Sequence, residues 1–246
     1  AAAAFARTLP DATLMPLLKR GNTFGALDMG LAPDLLPGRV SISDEAGARA
    51  FEDAVGHLPT EAGRSTLDMF RAVLDGEMKA LLLVGADPVS DSPDPALAEE
   101  AIEAAEFVVA VDAFLTHSAR HADVFLPAAV WGEVDGTVTN LEGRVQRIRP
   151  SIPPVGRARP LNALLADLGF RMGVELASAK PQDIAERISD VAPAYGGIAF
   201  DYLEFEVGDE GVVVPTELGS QPLAHIPVEI SVPVVTDRMT LHLAEA

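Results

Sequence analysis

Two short apolar runs limit what this chain can fold into. Ala80-Leu81-Leu82-Leu83-Val84 stops at Gly85, and Phe107-Val108-Val109-Ala110-Val111 stops at Asp112. Runs of this length without polar alternation read as strands buried on both faces of a parallel sheet. Between them, Pro95 to Ala105 has helical character, with its proline at a helix start. Strand, loop, helix and strand in that order make a βαβ unit with a right-handed crossover. Ahead of it, Leu67, Phe70, Leu74 and Met78 recur at helical spacing. Ser65 or Thr66 is placed to cap that helix, Asp68 falls in its first turn and Gly76 sits near its end. Val124-Phe125-Leu126, closed by Pro127, reads as a third strand. The expected class is α/β, an open and mostly parallel sheet flanked by helices.

The remaining segments are less regular. Residues 1–10 read as the last turns of a helix, and Thr13-Leu14-Met15-Pro16-Leu17-Leu18 as a short strand whose proline suits an edge. Gly21 to Gly38 reads as a glycine- and proline-rich loop. Leu161, Leu164, Leu165 and Leu168 predict a helix ending near Gly169, and Pro181 to Ile188 another. Beyond Phe200, valine-rich alternation at Glu204–Val214 and Ile226–Leu243 suggests irregular β structure. The expected division is an α/β domain over residues 1–190 and an irregular, β-containing C-terminal tail over 191–246, the approach to a further domain.

Charge and composition remove several function classes. Thirty-seven acidic against eighteen basic side chains give a formal charge of -19, which repels nucleic-acid phosphates and anionic lipid. There is no cysteine, so this chain holds no disulfide, no iron–sulfur cluster and no sulfur-ligated zinc. No apolar stretch reaches the ~18 residues of a spanning helix, so no direct membrane insertion is expected. The chain opens in an alanine run without an initiator methionine, which suggests a soluble fragment of something longer.

Ligands of open parallel sheets sit beyond the carboxyl ends of the strands. Two loops leave such ends, Gly85-Ala86-Asp87-Pro88 and Asp112-Ala113-Phe114-Leu115-Thr116-His117-Ser118. Asp87 and Asp112 could meet a ribose hydroxyl or a guanine edge, or could simply cap loops. No G-x-G-x-x-G and no Walker phosphate loop is present. His117 and His121 are four apart and close to Asp112 and Asp123. The glutamate of H-E-x-x-H is missing and Arg120 intervenes, so no metal is expected. In the polar stretch from Trp131 to Gln146, Asn140, Glu142, Arg144 and Gln146 could meet a ligand or tie down a long surface loop. Arg144, Arg147, Arg149, Arg157 and Arg159 could pair with phosphates, with an acidic partner, or with the chain's own carboxylates.

Several of these residues carry a family resemblance. Ala122-Asp123-Val124-Phe125-Leu126-Pro127-Ala128-Ala129, followed by Glu133 to Gln146, resembles the signature of molybdopterin oxidoreductases. Asn22 with Gly25-Ala26-Leu27-Asp28-Met29-Gly30, then Leu36-Pro37-Gly38, Gly85-Ala86-Asp87-Pro88 and Gly156-Arg157-Ala158-Arg159-Pro160 resemble further family loops in the same order. Within the superfamily the pattern is most similar to the large iron–sulfur subunit of the proton-translocating NADH–quinone oxidoreductase (respiratory complex I).

The resemblance implies a Rossmann-like middle domain of a multi-domain subunit. Iron–sulfur clusters would then belong to a cysteine-rich N-terminal part outside this chain, and this fragment would carry no cofactor or metal and perform no catalysis. It implies a scaffold that supports electron transfer from NADH to quinone by the whole complex. Partners would be other subunits of the peripheral arm and the rest of its own subunit, on the cytoplasmic side of the plasma membrane. In catalytic relatives the matching loops embrace a bis-molybdopterin guanine dinucleotide. Here the matching positions Asp87, Asp112, His117, Asn140, Arg144 and Gln146 would be vestiges of that site. Asp87 stands where the family loop usually has asparagine, and His117-Ser118-Ala119 where many relatives have glutamate-threonine-alanine. The alternative implied by the same motifs is the molybdopterin guanine dinucleotide-binding portion of a formate dehydrogenase-like enzyme.

Overall fold

In the computed structural model, residues 19–56, 59, 61–174 and 178–214 are described. The helical turns expected at 1–10, the strand expected at 13–18 and the alternation expected at 226–243 lie outside them. The described chain is an α/β fold. Residues 21–38, expected as loop throughout, contain a short helix α1 (Thr23–Asp28), and Leu35–Leu36 (β1) pairs antiparallel with Val40–Ser41 (β2). Asn22 and Gly30 take positive φ of 60° and 77°, turning the chain sharply on either side of α1.

Local signals set the next elements. Asp44 caps α2 (Glu45–Val55) by accepting from the Ala46 N–H, and Gly56 ends it in the left-handed region. Ser65 caps α3 (Thr66–Leu74) by accepting from the Asp68 N–H. This helix stops before Met78, because Gly76 with φ 74° turns the chain away. Then come β3 (Ala80–Val84), the short α4 (Pro88–Asp91), α5 (Pro95–Ala104), β4 (Phe107–Asp112) and β5 (Val124–Pro127). Strands β3, β4 and β5 form a parallel sheet in that order, with Leu81 opposite Val108 and Val109 opposite Val124.

The expectation of strands buried on both faces is corrected here. Leu81, Leu83, Val108 and Ala110 are buried under Phe70 and Val73 of α3, Ala98, Ala101 and Ile102 of α5, and Ala119. On the opposite face, Leu82 is 51% exposed, Phe107 46% and Val124 36%. Among the described residues, the crossover helix and the turn joining β4 to β5 pack on one side, and the other side is fully covered only near the carboxyl end, at Val111.

The segment expected as a long surface loop is a hairpin. Strand β6 (Gly136–Thr139) pairs antiparallel with β7 (Arg144–Ile148), which also pairs with β8 (Val212–Val213). At its tip Gly143 has φ 79°, and a Cβ there would lie 3.3 Å from the Val214 carbonyl oxygen. Helix α6 (Leu161–Arg171) runs past Gly169, and α7 (Pro181–Val191) begins at its proline. The β structure expected over Glu204–Val214 is largely helical turn instead: a π-helical turn over Tyr202–Glu206 and a 3-10 turn over Gly208–Glu210 precede β8. Val145, Ala192, Tyr195, Leu203 and Val214 close a second core around the hairpin. Among the described residues no helix is long and apolar enough to cross a membrane.

Candidate functional site

The loops that leave the carboxyl ends of β3 and β4 are locked together. Gly85, with φ 56°, donates to the Val111 carbonyl at 2.8 Å and turns the chain out of β3. Asp87 follows, and its Oδ1 accepts from both the N–H of Ser118 at 2.9 Å and its hydroxyl at 2.6 Å. Ser118 is fully buried, and its Oγ accepts in turn from the Val89 N–H at 3.0 Å. One serine thus joins the loop after β3 to the loop after β4. Burial alone would raise the Asp87 carboxyl. Hydrogen bonds from the hydroxyls of Ser118 and Ser90 and the amides of Ser118 and His117 outweigh burial and hold it at about 2.

Asp112 ends β4 and uses Oδ1 to accept from the Phe114 N–H at 3.0 Å. Phe114 and Leu115 on that loop are 71% and 57% exposed, leaving an apolar surface beside Asp112. His117 is exposed and opens the 3-10 turn Ser118–His121. Arg20 reaches in from the other side. It is paired with Asp91 on α4, and that hydrogen bond, with further pull from Asp112 and Asp87, raises its pKa.

Asn140, Arg144 and Gln146 sit elsewhere, on the β6–β7 hairpin. The Asn140 side-chain oxygen accepts from the N–H groups of Glu142 and Arg144 at 2.8 and 3.0 Å, shaping the hairpin tip. Arg144 donates to the Glu210 carbonyl at 3.1 Å and Gln146 to that of Asp209 at 3.1 Å, tying the hairpin to the Gly208–Glu210 turn. Three further arginines of the cluster resolve the same way. Arg147 pairs with Asp135 at 2.7 Å and lies 3.8 Å over the Phe200 ring. Arg149 pairs with Glu204 at 2.8 Å, and Arg159 with Asp167 at 3.0 Å. Of the alternatives open to these three arginines, the structure shows the chain's own carboxylates.

Four features have no signal in local sequence. Arg20 belongs to no motif. Ser118 lacks the surroundings of a nucleophile, and its structural role appears only when both loops are in place. Glu133, 6% exposed, accepts from the Val130 N–H at 3.0 Å and the Val155 N–H at 3.2 Å, fastening two loops from inside. A buried network joins Asp28 to Arg39 and to the Tyr195 hydroxyl. Burial and the Asp28 carboxylate hold the Tyr195 phenol well above its ordinary range. Nearby, the Asn22 side-chain oxygen accepts from the Thr139 N–H at 2.8 Å, which anchors α1 to β6. Asn22 and Asp28 lie in one of the family-like loops, but nothing local pairs Asp28 with a tyrosine 167 positions away.

The groups on these loops suit some ligands better than others. Asp112 Oδ2 has no hydrogen-bond partner among the described residues, so it can accept from a sugar hydroxyl or a base N–H. A diphosphate needs cationic or N–H donors, yet Asp87, Asp91 and Asp112 make this end acidic and Asp91 already takes the Arg20 guanidinium. This acceptor can take a hydroxyl or N–H of a nucleoside, whereas the loops offer no donor set for a diphosphate.

Comparison with known proteins gives a consistent set of relatives. Residues 5–171 match the family model described as molybdopterin oxidoreductase. "Putative formate dehydrogenase YrhE" of Bacillus subtilis is 34% identical over 79% of this chain and 20% of its own length. "Putative formate dehydrogenase SH0748" of Staphylococcus haemolyticus is 33% identical over 84% of this chain and 22% of its own. A subunit of the NADH-quinone oxidoreductase of Rhizobium meliloti is 39% identical over 78% of this chain and 23% of its own. The chain therefore spans about a fifth of the length of these relatives.

Proposed function

The chain belongs to the molybdopterin oxidoreductase family, and from that premise we propose that it forms part of the guanine dinucleotide-binding portion of a larger, formate dehydrogenase-like enzyme. The observation that carries this reading is the pair of interlocked loops beyond the carboxyl ends of β3 and β4, where open parallel sheets take their ligands, with Asp112 Oδ2 open to accept. Two of these three relatives carry formate dehydrogenase in their names, which puts this reading ahead of the cofactor-free scaffold expected from the sequence. When bound, the cofactor supplies the redox chemistry, and the protein supplies binding and orientation. Asp112 accepts a hydroxyl or N–H of the nucleoside, Phe114 and Leu115 shield it from water, and the Asp87–Ser118 lock holds both loops in register. Asn140, Arg144 and Gln146 shape the hairpin.

A second reading is supported by the 39% identity to the Rhizobium NADH-quinone oxidoreductase subunit. In that case the chain is a structural part of such a subunit, working beside other subunits, and the loops beyond β3 and β4 are vestigial. One experiment separates the two. The full natural polypeptide is purified from its host and assayed for molybdenum, tungsten and acid-released GMP. Metal and GMP in stoichiometric amounts, both lost in Asp112→Ala, support cofactor binding. Absence of both, in a preparation that co-purifies with NADH–quinone reductase activity, supports the scaffold and overturns the first reading.

A further inference from the structure

Away from the Asp87–Ser118 contact, three side chains with no role so far converge on one spot. Glu99 and Glu103 are four apart on α5 and share a helix face. His121, at the end of the Ser118–His121 turn, faces both of them. Its Nδ1 lies 3.4 Å from Glu103 Oε1 and its Nε2 3.9 Å from Glu99 Oε1. One ligand atom from each residue falls within 4.8 Å of the others. Neither contact is a hydrogen bond, and neither carboxylate has another partner among the described residues. The pairing expected for His121, if any metal were held, is with His117; the fold turns its ring toward α5 instead.

We propose that Glu99, Glu103 and His121 form a site for one zinc-type transition-metal dication, with water completing the coordination. Two carboxylates and one imidazole make a three-ligand set with an open position. The imidazole favours zinc, cobalt and nickel over magnesium and calcium, which prefer all-oxygen shells. Metal–ligand bonds of ~2.0–2.2 Å require the three donors to draw together somewhat. Glu99 and Glu103 are 46% and 58% exposed, so their side chains can rotate without disturbing the core. A single ion takes one ring nitrogen, and the half-exposed carboxylates swing toward it. The chain's charge of -19 favours a cation throughout. Bound metal would pin α5 to the turn that carries Ser118, and so stiffen the two loops that Ser118 joins.

The test is a titration of the full chain with Zn²⁺ by calorimetry and with Co²⁺ by visible absorption, in a weakly coordinating buffer. Wild type binds one ion saturably, with the Co²⁺ bands of an imidazole-containing site. Each of Glu99→Gln, Glu103→Gln and His121→Ala weakens Zn²⁺ at least about tenfold, equivalent to ~1.4 kcal/mol. His117→Ala binds as wild type does. Metal-free melting curves of the glutamine variants match wild type, which separates lost ligands from lost fold. No saturable binding by wild type, unchanged affinity in His121→Ala, or equal loss in His117→Ala would overturn the site and leave an imidazole–carboxylate ion pair.

Discussion

Ser118 shows how much one buried side chain can do without touching a ligand. Its hydroxyl donates to Asp87 and accepts from Val89, and its amide donates to Asp87 as well. Ser118→Ala strands the Val89 N–H and removes a charge-assisted bond, and should cost ~1–3 kcal/mol in urea unfolding. Asp87 adds a pH dependence whose sign follows from its depressed carboxyl. Its folded value of about 2 lies below the ordinary 3.8, so its contribution is complete above pH 4 and is lost as pH falls toward 2. Asp87→Asn should flatten that part of the acid-unfolding curve measured by circular dichroism. An unchanged slope would show that the lock does not depend on charge.

Elements in this fold are held by close backbone approaches as much as by propensity. Gly211 has φ 63° and ψ -172°, and a Cβ there would sit 2.3 Å from the Val145 carbonyl oxygen. Gly211→Ala should therefore cost ~1–3 kcal/mol or more from backbone strain, with the clash added, and should loosen β8 from β7. Gly197 has φ 80° with open space around its Cβ position, so Gly197→Ala should cost only the ~1–2 kcal/mol of the left-handed region. Thermal melts of the two variants check the order. Gly25 offers a parallel case, because a Cβ there would meet the Asn22 side-chain oxygen at 2.2 Å and break the anchor from α1 to β6.

For the molecule as a whole, the one-sided sheet decides where stability resides. Phe70 is 2% exposed and packs in the sheet core, so Phe70→Ala should cost ~3–5 kcal/mol. Leu82, on the same sheet but 51% exposed, points to the open face, and Leu82→Thr should stay within about 0.5 kcal/mol of wild type. Chemical denaturation of the chain measures both. Comparable losses would mean that the second face is covered.

Periodicity, caps and prolines make α3, α5, β3, β4 and β5 legible from the sequence, because each depends on neighbours a few residues away. The loops beyond β3 and β4 are legible for the same reason, since strand ends are marked locally by Gly85 and Asp112. Burial on both faces does not follow from the apolar runs, because such a run states what a strand tolerates, and which side is covered depends on where the crossover packs. The hairpin role of Asn140 and Arg144, the Asp28–Tyr195 bond and the meeting of His121 with α5 are decided only by the tertiary structure. Contacts between distant segments leave no trace in local spacing, and it is those contacts that assign each polar side chain its partner.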